Sequence, residues 1–321
     1  MTSISLMKLN KVLVTCPPML GMIDRFVEFS KENHNIELIP KKVAQTMSEN
    51  DLIKIIKDYD GWIIGDDPAS AEVFREGKKG KLKAAVKWGV GIDNVDMNAA
   101  EDLKIKIKNT PGMFGDEVAD LAHCYLVCLS RNVIGIHNGV IKGEWPKHTG
   151  HSLRGSTVAI VGYGDIGRCL LKRVLASEMN IQIYDPFINS INSEDPRVKK
   201  EIWPNNLSIC DFIILTCSLN SSNYHLLDEK IFNMLKNKVK IINVSRGPLI
   251  NEEELVKNLE RGRVDSVALD VFEKEPLPLN SELRRFNNCI FGSHNASNTS
   301  QAVEKTSYKA IALLDELINE Y

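Results

Sequence analysis

The chain has 321 residues, 43% of them hydrophobic and 26% charged, with 40 basic against 42 acidic side chains and a net charge of −2. This length exceeds what one hydrophobic core usually supports, so two domains are expected, and the balanced charge provides no long-range field for nucleic acid or an anionic membrane. No apolar run reaches the roughly 20 residues that span a bilayer, the N-terminus lacks a signal-peptide pattern, and the seven cysteines show no CxxC spacing; a cytoplasmic enzyme without disulfides or a metal site is expected.

Up to residue 109, the apolar runs KVLVTC, IELIP, GWIIG and LKAAVKWG alternate with amphipathic stretches such as MIDRFVEFSKEN and AEVFREGK. That rhythm predicts βαβ units and a parallel sheet covered by helices. A more apolar helical stretch, DEVADLAHCYLVCLSRN, follows Pro111 and Gly112. After GEWPKHTGHSLRG the alternation resumes, with strands expected at TVAIVG, IQIYD, FIILTC, KIINVS and SVALDV, which makes a second parallel α/β unit. The closing segment, SQAVEKTSYKAIALLDELINE, carries an apolar stripe of Val303, Ile311, Leu314 and Leu317 or Ile318 and predicts one amphipathic helix.

The most specific local signal is TVAIVGYGDIGRCLLKRVLAS, in which Gly162, Gly164 and Gly167 have G-x-G-x-x-G spacing between a strand and a helix. That context makes it a dinucleotide-binding fingerprint. One glycine forms the turn, one lets a pyrophosphate approach the backbone, and one packs helix against strand, while the helix N-terminus offers N–H groups to the phosphates. Asp185 ends the next strand, 18 residues after Gly167. A carboxylate there accepts from both ribose hydroxyls and repels a 2′-phosphate, so NAD is expected over NADP.

Three polar residues fall after later apolar runs: Arg246 in NVSRGPLI, Glu275 in DVFEKEPLP and His294 in GSHNAS, with Asp270 also near a strand end. Ligands of open α/β sheets bind at carboxyl ends of strands. The trio suits hydride transfer at a 2-hydroxy or 2-oxo acid: guanidinium for the carboxylate, imidazole for the hydroxyl proton, and a carboxylate to orient the imidazole. Taken singly, each is equally at home in a solvated loop, and only their shared placement gives them weight.

The motifs GVGIDNVD, NTPG…EVADLA, GEW, GYGDIG, NVSRGPLINEEELVKNLERG and ALDVFEKEPLP, followed by the histidine segment, resemble the D-isomer-specific 2-hydroxyacid dehydrogenases over nearly the whole chain, nearest the D-3-phosphoglycerate dehydrogenase-like branch. The resemblance implies two doubly wound parallel-sheet domains, a Rossmann NAD-binding domain at 110–295 inserted into a flavodoxin-like substrate domain of residues 1–109 plus 296–321. It implies Arg246, Glu275 and His294 as the catalytic set. The implied cofactor contacts are Gly162, Tyr163, Gly164, Asp165, Ile166, Gly167, Asp185, Cys217, Val244, Ser245, Asp270, His294 and Ala296. Backbone at Val90 and Gly91, with Arg246, is implied to hold the substrate carboxylate, and a homodimer is implied as the assembly.

Departures from the family pattern bear on the substrate. Gly65, Asp66 and Asp67 stand where phosphoglycerate enzymes place an arginine, so an acidic entry disfavours a phosphorylated substrate unless Lys87 or Lys147 compensates. Phe114 replaces a usual asparagine and makes the pocket more apolar, Asp120 replaces a glutamate, and TCSL at 216–219 lacks the common proline. No serine-binding regulatory module is expected after residue 321. Hydroxypyruvate or glyoxylate reduction is an alternative activity. Glu275 argues against the formate dehydrogenases, which carry glutamine there. The NAD-sensing corepressors of the same fold retain the trio, so they stay open as a binding-protein alternative.

Overall fold

The apolar runs become two all-parallel sheets. A computed structural model of the protein describes residues 8–320 with the exception of Asn192. In the first sheet, strands β1 (Asn10–Val14), β2 (Ile36–Pro40), β3 (Gly61–Ile64), β4 (Ala84–Lys87) and β5 (Lys106–Asn109) run in the order β2-β1-β3-β4-β5. The second contains β6 (Thr157–Val161), β7 (Asn180–Tyr184), β8 (Val198–Glu201), β9 (Phe212–Leu215), β10 (Val239–Asn243), β11 (Val264–Leu269) and β12 (Ile290–Phe291), ordered β12-β11-β10-β9-β6-β7-β8. Each order reverses direction once, between β1 and β3 and between β6 and β9. Such switch points leave crevices at the carboxyl ends of strands.

The two sheets belong to separate compact units, one ending at Met113 and resuming at Asn298, the other spanning Phe114–Ser297. Central strands such as GWII and FIIL are buried along their whole length, as strands covered by helices on both faces must be. β5 and β8 read KIKN and VKKE and lie at sheet edges. Their lysines are what edge strands use to discourage further pairing, so no apolar run announces them.

The helix Ser300–Asn319 returns the chain to the first unit. Thr299 opens it by accepting a hydrogen bond from the Ala302 N–H (3.2 Å), and Leu314 and Ile311 are fully buried, each side chain worth about 2 kcal/mol of apolar transfer. The helix approaches β3 closely at Gly61, where a Cβ would lie 3.1 Å from Leu314 and Ile318. Trp88 adds an indole hydrogen bond to Ser307 Oγ (3.1 Å).

Candidate active site

At the end of β6 the chain turns through Gly162 at φ +101°. A Cβ there would collide with the Cys217 backbone, and one at Gly167 would overlap the Gly162 carbonyl. These two glycines therefore make the turn and seat the helix Asp165–Ala176 against it. Gly164 differs, because a Cβ there would meet nothing within 4 Å. The helix N-terminus beyond it has no side-chain cap, which leaves its first N–H groups and positive dipole for a phosphate. Thr216 braces the turn by donating to the carbonyls of Val161 (3.1 Å) and Gly162 (2.8 Å).

Asp185, just past β7, accepts from the N–H of Tyr163 (2.7 Å) through Oδ2 and from the N–H of Phe187 (2.8 Å) through Oδ1. These bonds lock the carboxylate beside the glycine turn and leave lone pairs for two ribose hydroxyls. Replacing Asp185 with alanine is expected to lower kcat/KM with NADH about 10-fold and narrow the preference over NADPH. Steady-state kinetics with both cofactors check this, and an unaltered ratio counts against the assignment.

The strand ends β10, β11 and β12 carry Arg246, Glu275 and His294, the residues expected to do the chemistry. At the end of β10, the buried Asn243 donates from Nδ2 to the Arg246 carbonyl (2.8 Å) and accepts from Ser245 N–H (3.1 Å). This side chain folds the SRG turn, and Ser245 Oγ also donates to the Cys217 carbonyl. Gly247 lies so close to the Phe272–Glu273 backbone that a Cβ would overlap it, which fixes the Arg246 turn against the Glu275 loop. Glu275 Oε1 accepts from Phe272 N–H (3.0 Å), and its Oε2 lies 2.8 Å from Nδ1 of His294. An ionised carboxylate only accepts, so Nδ1 carries the proton on the Glu275 side of the ring.

The histidine segment is itself pinned. Gly292 and His294 donate backbone N–H bonds to the carbonyls of Leu269 (2.8 Å) and Asp270 (2.7 Å), and His294 has φ +55°, a conformation uncommon outside glycine and typical of functional turns. Asp270 is almost fully buried. Its Oδ2 accepts from Ala296 N–H (2.8 Å), while Oδ1, with the Tyr125 hydroxyl nearby, makes no well-formed hydrogen bond among the described residues. Burial raises this carboxyl, partly offset by the N–H groups of Asn295 and Ala296. An unpaired buried acceptor costs about 1–3 kcal/mol and suits an incoming amide N–H, as on a nicotinamide. With the open face at Gly164 and the locked Asp185, this donor and acceptor set fits NAD.

In the first unit, the N–H groups of Val90 and Gly91 follow β4 and have no partner among the described residues. Gly89, at φ +142°, and Thr110 hold the loop through Gly89 N–H to Thr110 Oγ1 (2.9 Å), and Asn109 donates to the Val90 carbonyl (2.8 Å). Lys87 is buried, donating to the Gly65 carbonyl (2.6 Å) and to Asp66 (2.9 Å). Asp67, also buried, accepts from Met47 N–H (2.6 Å), Gly65 N–H (3.1 Å) and the Thr15 hydroxyl; burial raises its carboxyl. Lys147 lies over the Trp145 ring instead, 5.4 Å from its centroid.

Residues 124–296 match the model of the D-isomer specific 2-hydroxyacid dehydrogenase NAD-binding domain. The chain belongs to that family. The dehydrogenase is 34% identical over 239 residues to a glyoxylate reductase of Thermococcus litoralis, covering 70% of each chain. It is 30% identical to a D-3-phosphoglycerate dehydrogenase of Archaeoglobus fulgidus over 91% of its own length, but spans only 54% of that protein. Among solved structures, the D-lactate dehydrogenase of Escherichia coli superposes with a TM-score of 0.81 at 27% identity, covering 97% of both chains. The dehydrogenase is thus an NAD-dependent oxidoreductase that interconverts a D-2-hydroxy acid and its 2-oxo acid.

Of the residues singled out from the sequence of the dehydrogenase, Arg246, Asp270, Glu275, His294 and Ala296 lie at the carboxyl ends of β10, β11 and β12, and the glycine turn and Asp185 at those of β6 and β7. Val90 and Gly91 belong to the other unit. Sequence reasoning missed Asn243, Gly247 and the backbone partners of Asp185. The SRG motif carried a faint signal for Gly247; nothing local pointed to Asn243.

Proposed function

We propose that Arg246, Glu275 and His294 are the catalytic set of the dehydrogenase and that its substrate is a small, unphosphorylated 2-oxo acid. The observation that supports the acid–base assignment most directly is the 2.8 Å contact between His294 Nδ1 and Glu275. When bound, NADH supplies the hydride that reaches the substrate carbon. The N–H groups of Val90 and Gly91 and the Arg246 guanidinium bind the substrate carboxylate, and Arg246 also polarises the carbonyl. His294 Nε2 gives its proton to the developing alkoxide, and Glu275 steadies the imidazolium before the transfer. Reduction therefore needs the protonated ring and falls at high pH, whereas oxidation needs the neutral ring and falls at low pH.

In this reading residues 110–295 form the cofactor domain and residues 1–109 with 296–321 the substrate domain. The state of Lys87 supports the choice of substrate. Its ammonium is held by Asp66 and the Gly65 carbonyl, so the crevice at the end of β3 and β4 offers a phosphate no uncommitted cation there. An NADH-oxidation screen of pyruvate, glyoxylate, hydroxypyruvate, branched 2-oxo acids and phosphohydroxypyruvate tests this. Glyoxylate or hydroxypyruvate is expected to be turned over at least about 100-fold more efficiently than the phosphorylated acid, the scale of one charge-assisted interaction. Preference for phosphohydroxypyruvate overturns the substrate choice, and tight NADH binding with no turnover of any acid shifts the reading to an NAD-sensing protein.

The working form in this proposal is a cytoplasmic homodimer. Ile141 and Trp145 are 71% and 75% exposed, and Val133, Ile134 and Val140 are exposed beside them in the sequence, a concentration of apolar side chains typical of an interface. Sedimentation equilibrium is expected to give twice the 36.0 kDa chain mass; a monomer at micromolar concentration overturns it.

A further inference from the structure

Behind the His294–Glu275 pair stands a second group of carboxylates. Glu252 begins the helix Glu252–Glu260, which Asn251 caps by accepting from Glu254 N–H (3.1 Å). Glu252 and Glu273 exchange bonds: Glu252 N–H donates to Glu273 Oε1 (3.1 Å), and Glu273 N–H donates to Glu252 Oε1 (2.6 Å). The Glu273 carboxylate thus sits at the positive end of the helix, where negative charge is favoured. His225 Nε2 lies 2.8 Å from the same Glu273 oxygen, its Nδ1 is 3.3 Å from Asn251 Nδ2, and Tyr224 stacks on its ring with centroids 4.2 Å apart.

This clasp acts on the loop that carries Glu275. It holds the N–H of the peptide between Phe272 and Glu273, against which the Gly247 backbone also packs. Phe272 N–H then donates to Glu275 Oε1, and Glu275 Oε2 faces His294. Burial raises the Glu252 carboxyl, the bond from Glu273 N–H partly offsets this, and the nearby Glu273 and Glu275 charges raise it. A glutamate kept among like charges and partly out of water is a cost to stability that an exposed helix start does not require.

We propose that Glu252 is a positioning residue for the dehydrogenase reaction, clasping the Glu273 backbone so that the Glu275 carboxylate stays on Nδ1 of His294. The inference rests on the acid–base reading given under Proposed function. Glu275 and, more distantly, Asp270 are charged groups that face His294, and Glu273, Glu275 and His225 face the clasp. Releasing the loop removes part of the carboxylate support from the imidazolium, so the His294 titration midpoint must fall.

The test follows the C2 proton of His294 by NMR through a pH titration, assigned with His294→Gln, together with kcat and KM for the best acid of the screen. Glu252→Ala is expected to lower the midpoint by about half a pH unit and kcat about 10-fold, with KM changed less than about two-fold. Glu252→Gln, whose amide oxygen accepts the same N–H, is expected to restore most of both. Lost thermal stability with an unmoved midpoint in Glu252→Ala, or no rescue by Glu252→Gln, overturns the proposal. Glu275→Gln serves as reference. If it too leaves the midpoint unmoved, the acid–base reading fails and the inference with it; if it lowers the midpoint while Glu252→Ala does not, the inference alone fails.

Discussion

Replacing His294 with glutamine is expected to lower kcat by about 10²–10⁴-fold in both directions, the usual contribution of a positioned general acid–base group. Glutamine retains a donor and an acceptor of similar reach but cannot exchange a proton near neutral pH. Its backbone must still adopt φ +55°, which the N–H bond to the Asp270 carbonyl helps to enforce. NADH affinity, measured by fluorescence titration, is expected to change less than about three-fold, because the glycine turn and Asp185 are untouched. A variant that keeps its rate in both directions would falsify the acid–base assignment. A variant that loses NADH binding as well as rate has lost the fold of the 292–296 segment and not only a proton carrier.

Much of this arrangement is readable from residue order, and what escapes has physical causes. Strands buried on both faces announce themselves as apolar runs, so β3, β6, β9 and β10 are visible in GWIIG, TVAIVG, FIILTC and KIINVS. β5 and β8, with lysines on edge strands, leave no such trace. The helix Val133–Ile141 is hidden differently: Gly135, Gly139 and five β-branched residues are poor helix formers, and Asn132 in the left-handed region divides it from Gly115–Arg131.

The site shows the same division. Glycine spacing and the placement of Asp185 are local patterns, whereas the 2.8 Å approach of Glu275 to His294 joins residues 19 apart through the pinning of the histidine segment onto the end of β11. Asn243 reads as the last residue of an apolar strand, and only its bonds to Ser245 and Arg246 reveal that it shapes the turn. Lys87 is the sharpest case. Its charge suggests phosphate recognition in the sequence, and its partners, Gly65 and Asp66, sit more than twenty residues away on the neighbouring strand end.

For Arg246, the expected losses separate charge from shape. Arg246→Gln is expected to lower kcat/KM about 10³-fold, since it removes a charge-assisted donor from both the carboxylate and the developing alkoxide. Arg246→Lys retains the charge without the planar pair of donors and is expected to lose about 10²-fold. The turn is shaped mainly from the Asn243 side chain to the Arg246 carbonyl and by the fit of Gly247 against Phe272 and Glu273; the guanidinium adds one bond, from Nη1 to the Ser245 carbonyl (2.9 Å), so the turn is expected to contribute only a small part of either loss. Thermal unfolding within about 1 kcal/mol of the parent checks that separation. The loss is expected in both KM and kcat for reduction, because in the proposed mechanism the same group holds the ground-state carboxylate and meets the charge that grows on oxygen. A lysine variant within a few-fold of the parent would mean that a point charge suffices, and the carboxylate would then be held chiefly by the N–H groups of Val90 and Gly91.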